Sequence, residues 1–147
     1  MAEEKLQTIL RPMTQTKEAQ KMKGYVQHGR VSTYEHCIRV ATLSYRLNRK
    51  LGLHADVTSL VRGAFLHDFY LYDWHDSTQH QKGHGFHHPA LALRNAERCF
   101  SLNDIERNII ISHMWPLTLR SIPKCREAVI VCIVDKWCST EETLFQR

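Results

Sequence analysis

Residues 126–138 read REAVIVCIVDKWC, and the conformation of this stretch decides the fold. Its centre, residues 128–134, is the longest uninterrupted apolar run in the chain. Such a run suits either a buried strand or a helix covered on most sides. Helix is the better reading, because the apolar period continues through Trp137 and no other segment alternates as a partner strand would. Asp135 then stands inside the most apolar helix of the protein. An ionised carboxylate there costs on the order of several kcal/mol unless a cation meets it. Lys136, the next residue, projects about 100° away around a helix and is no automatic partner. A bound metal ion would satisfy Asp135.

The rest of the chain also reads as helical. Pro12 is expected to break an N-terminal helix, and a short second helix is expected over residues 16–25, weakened by Gly24 and followed by a loop closed at Gly29. The sequence STYE at 32–35 has the form of a capping box. It opens a helix on which Val40, Leu43 and Leu47 share a face with His36, and Gly52 ends it. Asp56 can cap a fourth helix with Leu60, Val61, Ala64, Phe65 and Leu66 turned inward, and His67 and Asp68 fall at its end. Residues 69–88 read as a long loop, and a loop of that length in a compact domain is usually functional or disordered. Pro89 is placed to open a helix over 89–100 with His88 at its cap. NDIE at 103–106 resembles a second capping box, opening a helix that carries Ile109, Ile110 and Ile111 to His113, with Pro116 as a stop. Pro123 is expected to open the last helix. Seven helical segments without a convincing strand make the chain all-α, with residues 1–29 an N-terminal helical extension packed on a domain spanning 30–147.

Composition narrows the function. The chain has 147 residues, 43% hydrophobic and 24% charged, which suits one globular domain and excludes a disordered polymer. No apolar run approaches the roughly 20 residues of a membrane span. The first residues are acidic where a signal peptide needs positive charge, so a cytoplasmic location is expected. The net charge of +5 is spread without a basic run, so no nucleic-acid polymer is indicated, and the mild positive field suits a small anionic substrate as well. Five cysteines, Cys37, Cys99, Cys125, Cys132 and Cys138, form no CxxC pair, so neither a disulfide framework nor a cysteine zinc site is expected. Histidine is the anomaly: of ten, five lie between His75 and His88.

The histidines and acids at helix ends and faces form an ordered series: His36, His67-Asp68, His88 before Pro89, His113 and Asp135. Four imidazoles and two carboxylates without cysteine suit a divalent ion such as Fe, Mn, Zn or Ni. Six protein ligands are too many for one catalytic ion with an open position and about right for two ions sharing a carboxylate. The stretches TYEHCIRVA (33–41), GAFLHDFYLYDW (63–74), HGFHHPALAL (84–93), IIISHMWPL (109–117) and VCIVDKW (131–137) resemble the HD-domain superfamily of metal-dependent phosphohydrolases. The resemblance covers about residues 30–140. It implies a compact helical bundle of six to seven helices around a central metal site. One ion would be held by His36, His67, Asp68 and Asp135, and a second by Asp68, His88 and His113, with Asp68 as the bridging catalytic carboxylate. His87 competes with His88, but the position directly before Pro89 favours His88. The resemblance further implies hydrolysis of a nucleotide or other small phosphate ester by a metal-bound hydroxide. A mixed-valent di-iron oxygenase and a non-catalytic regulatory module are the alternatives.

The family's HDIGK lysine is replaced here by HDFYLYDW, and its glycine-tyrosine-proline signature is absent, as is the extra histidine after the fifth ligand. Substrate contacts must come from other residues. Arg39, one turn after His36, and Lys136 are candidates for phosphate contact, and otherwise solvated charges. His84 is a candidate for a phosphoryl hydrogen bond or a solvated loop residue. In the stretch with Tyr70, Tyr72, Asp73 and Trp74, either Tyr70 and Trp74 pack while Asp73 caps a turn, or these residues form a substrate wall with Asp73 as proton donor or acceptor. His28, His54, His75 and His80 are expected at the surface, and the sequence leaves the oligomeric state open.

Overall fold

The structure is a computed structural model and describes residues 1–76, 78 and 82–145; His80 lies outside the described residues. Helix α1 (Ala2–Thr14) buries Leu6, Leu10 and Met13 on one face, packed mainly against α4. Pro12 sits inside α1 and does not break it. It forfeits one bond, to the carbonyl of Thr8, while burial of Leu10 and Met13 on either side holds the last turn in place. Thr16 caps the short α2 (Lys17–Lys21), accepting a bond from the Ala19 amide, and the chain tightens into a 3-10 turn over Met22–Gly24.

The next segment corrects the expectation that no strand is present. β1 (Val26–His28) pairs antiparallel with β2 (Val31–Ser32), turning at Gly29 with φ 57°. Strands this short show no alternation that a sequence pattern could reveal. Ser32 ends β2 and also caps α3 (Thr33–Leu51), with both halves of the capping box formed to Glu35 and Gly52 closing the helix in the left-handed region. Asp56 accepts a bond from the Ser59 amide and starts α4 (Val57–Leu66).

Helix α5 (His84–Cys99) begins five residues earlier than Pro89 suggested, so His88 is a helical residue and not a cap. Gly83, at φ 90°, supplies the turn into the helix, and Pro89 costs it a single bond. The loop after α4 is correspondingly shorter. α6 (Asp104–Ser112) starts at a complete capping box between Asn103 and Glu106 and ends at His113. α7 (Arg126–Phe145) confirms the helical reading of the decisive stretch, although it starts past Pro123.

The helices form an all-α bundle. α3 packs against α4 and α7, α4 against α6, and α6 against both α5 and α7. Phe65, Leu66, Ile109, Ile110, Val40 and Val131 belong to one continuous core. α4 and α6 meet at Gly63, where a Cβ would lie 2.4 Å from Cδ1 of Ile109. That close approach brings the ends of α4 and α6, with His67 and His113, together. Among the described residues, no helix is long and apolar enough to cross a membrane. All five cysteines are free thiols, three of them buried.

Candidate metal centre

Three helices and the residues just past two others deliver the six expected ligands to one buried place. His36 comes from the first turn of α3, His67 and Asp68 follow α4, and His88 lies on α5. His113 ends α6, and Asp135 lies midway along α7. All six are buried, His36, His67 and His113 completely. Their ligating atoms form two groups, His36, His67, Asp68 and Asp135 in one and Asp68, His88 and His113 in the other, each within 4.8 Å across.

Asp68 divides its oxygens between the groups. Oδ2 is 3.3 Å from Nε2 of His67 and 3.6 Å from Nε2 of His36. Oδ1 is 3.1 Å from Nε2 of His88 and 3.2 Å from Nε2 of His113. Asp135 Oδ1 completes the first group, 3.0 Å from His36 and 3.4 Å from His67.

The imidazoles are oriented from behind. Nδ1 of His67 faces the carbonyl of Ala64 at 2.6 Å, Nδ1 of His88 that of His84 at 2.9 Å, and Nδ1 of His113 that of Ile110 at 2.7 Å. Nδ1 of His36 faces Glu142 Oε2 at 2.8 Å. Each ring therefore carries a hydrogen on Nδ1 and turns Nε2 to the centre, the orientation that an imidazole ligand needs. Nε2 of His88 and His113 stand only 2.8 Å apart. Asp68 Oδ1 is buried and makes no geometrically sound hydrogen bond despite its two imidazole neighbours. Converging lone pairs around an unsatisfied buried carboxylate oxygen fit divalent cations, and the donor set of nitrogen and oxygen suits them.

Charge is balanced locally among these groups. Burial alone would raise the Asp68 pKa, but His67, His113 and His88 hold it well below the usual carboxylate range. Asp135 is likewise held low against burial, by His67 and His36. Burial would lower the His36 pKa, yet hydrogen bonds to Asp135 and Glu142 raise it to about 9. His67 is raised well above its ordinary value, Asp68 and Asp135 outweighing burial. His113 is the reverse case, lowered by burial in spite of Asp68.

A cavity of about 890 Å³ opens over the centre, with Asp68, His88, His113 and Asp135 among its lining. Met114, Pro116 and Leu117 form an apolar wall, and Lys136, Ser139 and Thr140 lie along it from α7. His84 lines the cavity too, stacked between Trp74 at 5.0 Å and His88 at 4.4 Å and bonded through Nδ1 to the Tyr72 hydroxyl. The Lys136 ammonium reaches the carbonyl of His113 at 3.1 Å.

Two expected substrate contacts are not brought to this cavity. The guanidinium of Arg39 is held by Glu141 and Glu142 on the far side of His36. Asp73 accepts a bond from the His75 amide and shapes the loop after α4. His87 is exposed while His88 is buried.

Three residues escaped the sequence reading. Gln27 on β1 donates from Nε2 to Asp68 Oδ2 at 2.7 Å, while its Oε1 accepts from Thr33 and Tyr70. His28, expected at the surface, is partly buried, lines the cavity and sets its ring 5.6 Å from that of His36. Glu142 lies wholly buried behind His36. Only Glu142 had a signal, its position seven residues after Asp135 on the same helical face. Gln27 and His28 sit in a hairpin with none.

An all-α bundle with histidines and aspartates converging on a shared carboxylate defines a class of helical proteins built around a buried cluster suited to divalent metal. Residues 33–138 match the model of the HD domain family, and the chain belongs to that family. The superfamily consists mostly of metal-dependent phosphohydrolases. No curated protein matches the chain, and no solved structure does.

Proposed function

We propose that the protein is a phosphohydrolase that removes or opens a small phosphate ester, a nucleotide or a compound of similar size, at a centre of two divalent transition metals. The observation that carries this reading is Asp68, whose Oδ2 joins one ligand group and Oδ1 the other. Bound at His36, His67, Asp68 and Asp135 and at Asp68, His88 and His113, divalent ions supply an activated water and polarisation of the phosphoryl group.

The chain's own residues prepare the site for that chemistry. Gln27 fixes the Asp68 carboxylate through Oδ2, so that Oδ1 keeps its aim at the second group. The backbone carbonyls behind His67, His88 and His113 hold their rings in the ligating orientation. The wall of Met114, Pro116 and Leu117 limits water on one side of the cavity. His84, its ring stacked between Trp74 and His88 at the cavity lining, is the residue we assign to a phosphoryl hydrogen bond. Lys136 contributes positive charge at the cavity lining. The cavity has the volume of a small-molecule site. We read residues 1–29 as an extension on the catalytic domain of 30–147, and the five free thiols suit a reducing, cytoplasmic setting.

The test is phosphate release. Metal-stripped protein reloaded with Mn, Fe, Co, Ni or Zn is offered a panel of phosphomonoesters and diesters, beside Asp68→Ala. Turnover by the loaded protein and none by the variant is expected. Activity that survives Asp68→Ala, or dioxygen consumption by iron-loaded protein without phosphate release, would overturn the proposal.

A further inference from the structure

The four ligating histidines are not supported alike. His67, His88 and His113 give their Nδ1 hydrogens to carbonyls three or four residues earlier in their own segments, at 2.6, 2.9 and 2.7 Å. These contacts follow from local helical geometry. His36 instead gives its hydrogen to a carboxylate from another helix, Glu142 Oε2 at 2.8 Å, across 106 positions of sequence. Glu142 is wholly buried, and its second oxygen, Oε1, is 3.4 Å from Nη1 of Arg39. Arg39 is also paired with Glu141. A carboxylate is not carried into a bundle interior for packing alone, since an aliphatic side chain would fill the space without desolvating a charge.

An imidazole backed by a carboxylate is held more firmly and donates its other lone pair more strongly than one backed by an amide carbonyl. The difference falls on one ligand group only, because His36 belongs to the group with Asp135 and has no part in the group of His88 and His113. α7 supplies both Asp135 and Glu142, so a single rigid helix places a ligand and the support of its neighbour.

We propose that Glu142, with Arg39 behind it, is a positioning residue for His36 that makes the two cation positions unequal and strengthens the one that contains His36. Arg39 then acts on the metal centre from outside the cavity instead of on substrate. The inference rests on the metal-centre reading above but not on the reaction assigned to it.

The experiment is a titration of metal-stripped full-length protein with Co(II), followed by calorimetry and by visible absorption, for the native protein and for Glu142→Gln. The native protein is expected to bind in two phases. Glu142→Gln is expected to weaken the tighter phase by about 10- to 100-fold, as loss of an outer carboxylate does, and to shift the absorption of the first-bound ion. The weaker phase should keep its affinity. A general loosening of the fold would move both phases and the melting temperature together, which overturns the proposal, as does an unchanged tighter phase. Should Glu142→Gln fail to fold, Glu142→Asp keeps the charge but draws it back by one methylene, and the same selective loss is expected. A native protein that binds no Co(II) would overturn the metal-centre reading itself; one that binds two ions indistinguishably would overturn only the role of Glu142.

Discussion

Gly63→Ala tests how closely α4 and α6 must approach to assemble the centre. An added Cβ would stand 2.4 Å from Cδ1, 3.0 Å from Cβ and 3.1 Å from Cγ2 of Ile109. Rotation about χ2 of Ile109 can relieve the first contact, but its Cβ is set by the backbone and its Cγ2 by a χ1 that a helix restricts to essentially one rotamer. The helices must therefore separate by a few tenths of an ångström. Overpacking costs about 1–3 kcal/mol, and contacts of 2.4, 3.0 and 3.1 Å place this one at the upper end, about 2–3 kcal/mol. Alanine returns up to about 1 kcal/mol through its better helix propensity. The net loss expected is about 1–2 kcal/mol, or a fall in melting temperature of roughly 3–6 °C for a domain of this size. Thermal unfolding by circular dichroism measures it. Ile109→Val removes Cδ1, so the double variant should lose less than the sum of the two single losses. Because His67 and His113 follow the two helices, with ring centroids 4.8 Å apart, metal affinity should fall with stability. A Gly63→Ala protein as stable as the native one, or strict additivity with Ile109→Val, would refute the close approach.

Other outcomes follow from the same geometry. In the metal-free protein His36, raised to about 9, and His67, raised well above its ordinary value, carry protons at neutral pH, whereas Asp68 and Asp135 are already ionised. Metal binding must expel the imidazole protons, so apparent affinity should rise with pH from 6 towards 9, by up to about tenfold per unit for each proton displaced. Calorimetry in buffers of different ionisation enthalpy counts those protons, and a flat pH profile would contradict the assignment. Under the proposed two-ion centre, His88→Ala should lower the metal content from two ions to one by elemental analysis, while His87→Ala, at an exposed position, should leave it unchanged. Asn103→Ala removes the cap of α6 and should lower stability by about 1 kcal/mol with little effect on metal content, because His113 lies at the opposite end of the helix.

The helices were legible where local chemistry decides them. The capping boxes at Ser32–Glu35 and Asn103–Glu106, the Asp56 cap and the Gly52 stop each depend on residues a few positions apart, and each formed as read. Proline misled the reading because a single lost bond is outweighed where neighbouring side chains pack, as at Pro12, or where an earlier turn can begin the helix, as at Pro89. The hairpin at 26–32 was invisible because its strands are too short to show a period.

The six candidate ligands were named from residue type, from their places at helix ends and faces, and above all from the resemblance those places carry. Sequence alone thus determined the helical class of the protein and the residue types of its candidate centre, because helix signals and metal-ligand preferences belong to individual residues and their near neighbours. Only the tertiary structure decided how Asp68 shares its oxygens, that Gln27 and Glu142 brace the ligands, and that Arg39 turns away from the cavity. Those features join residues as far apart as His36 and Glu142, separated by 106 positions, and no local period encodes a contact between helices that meet only when the core closes.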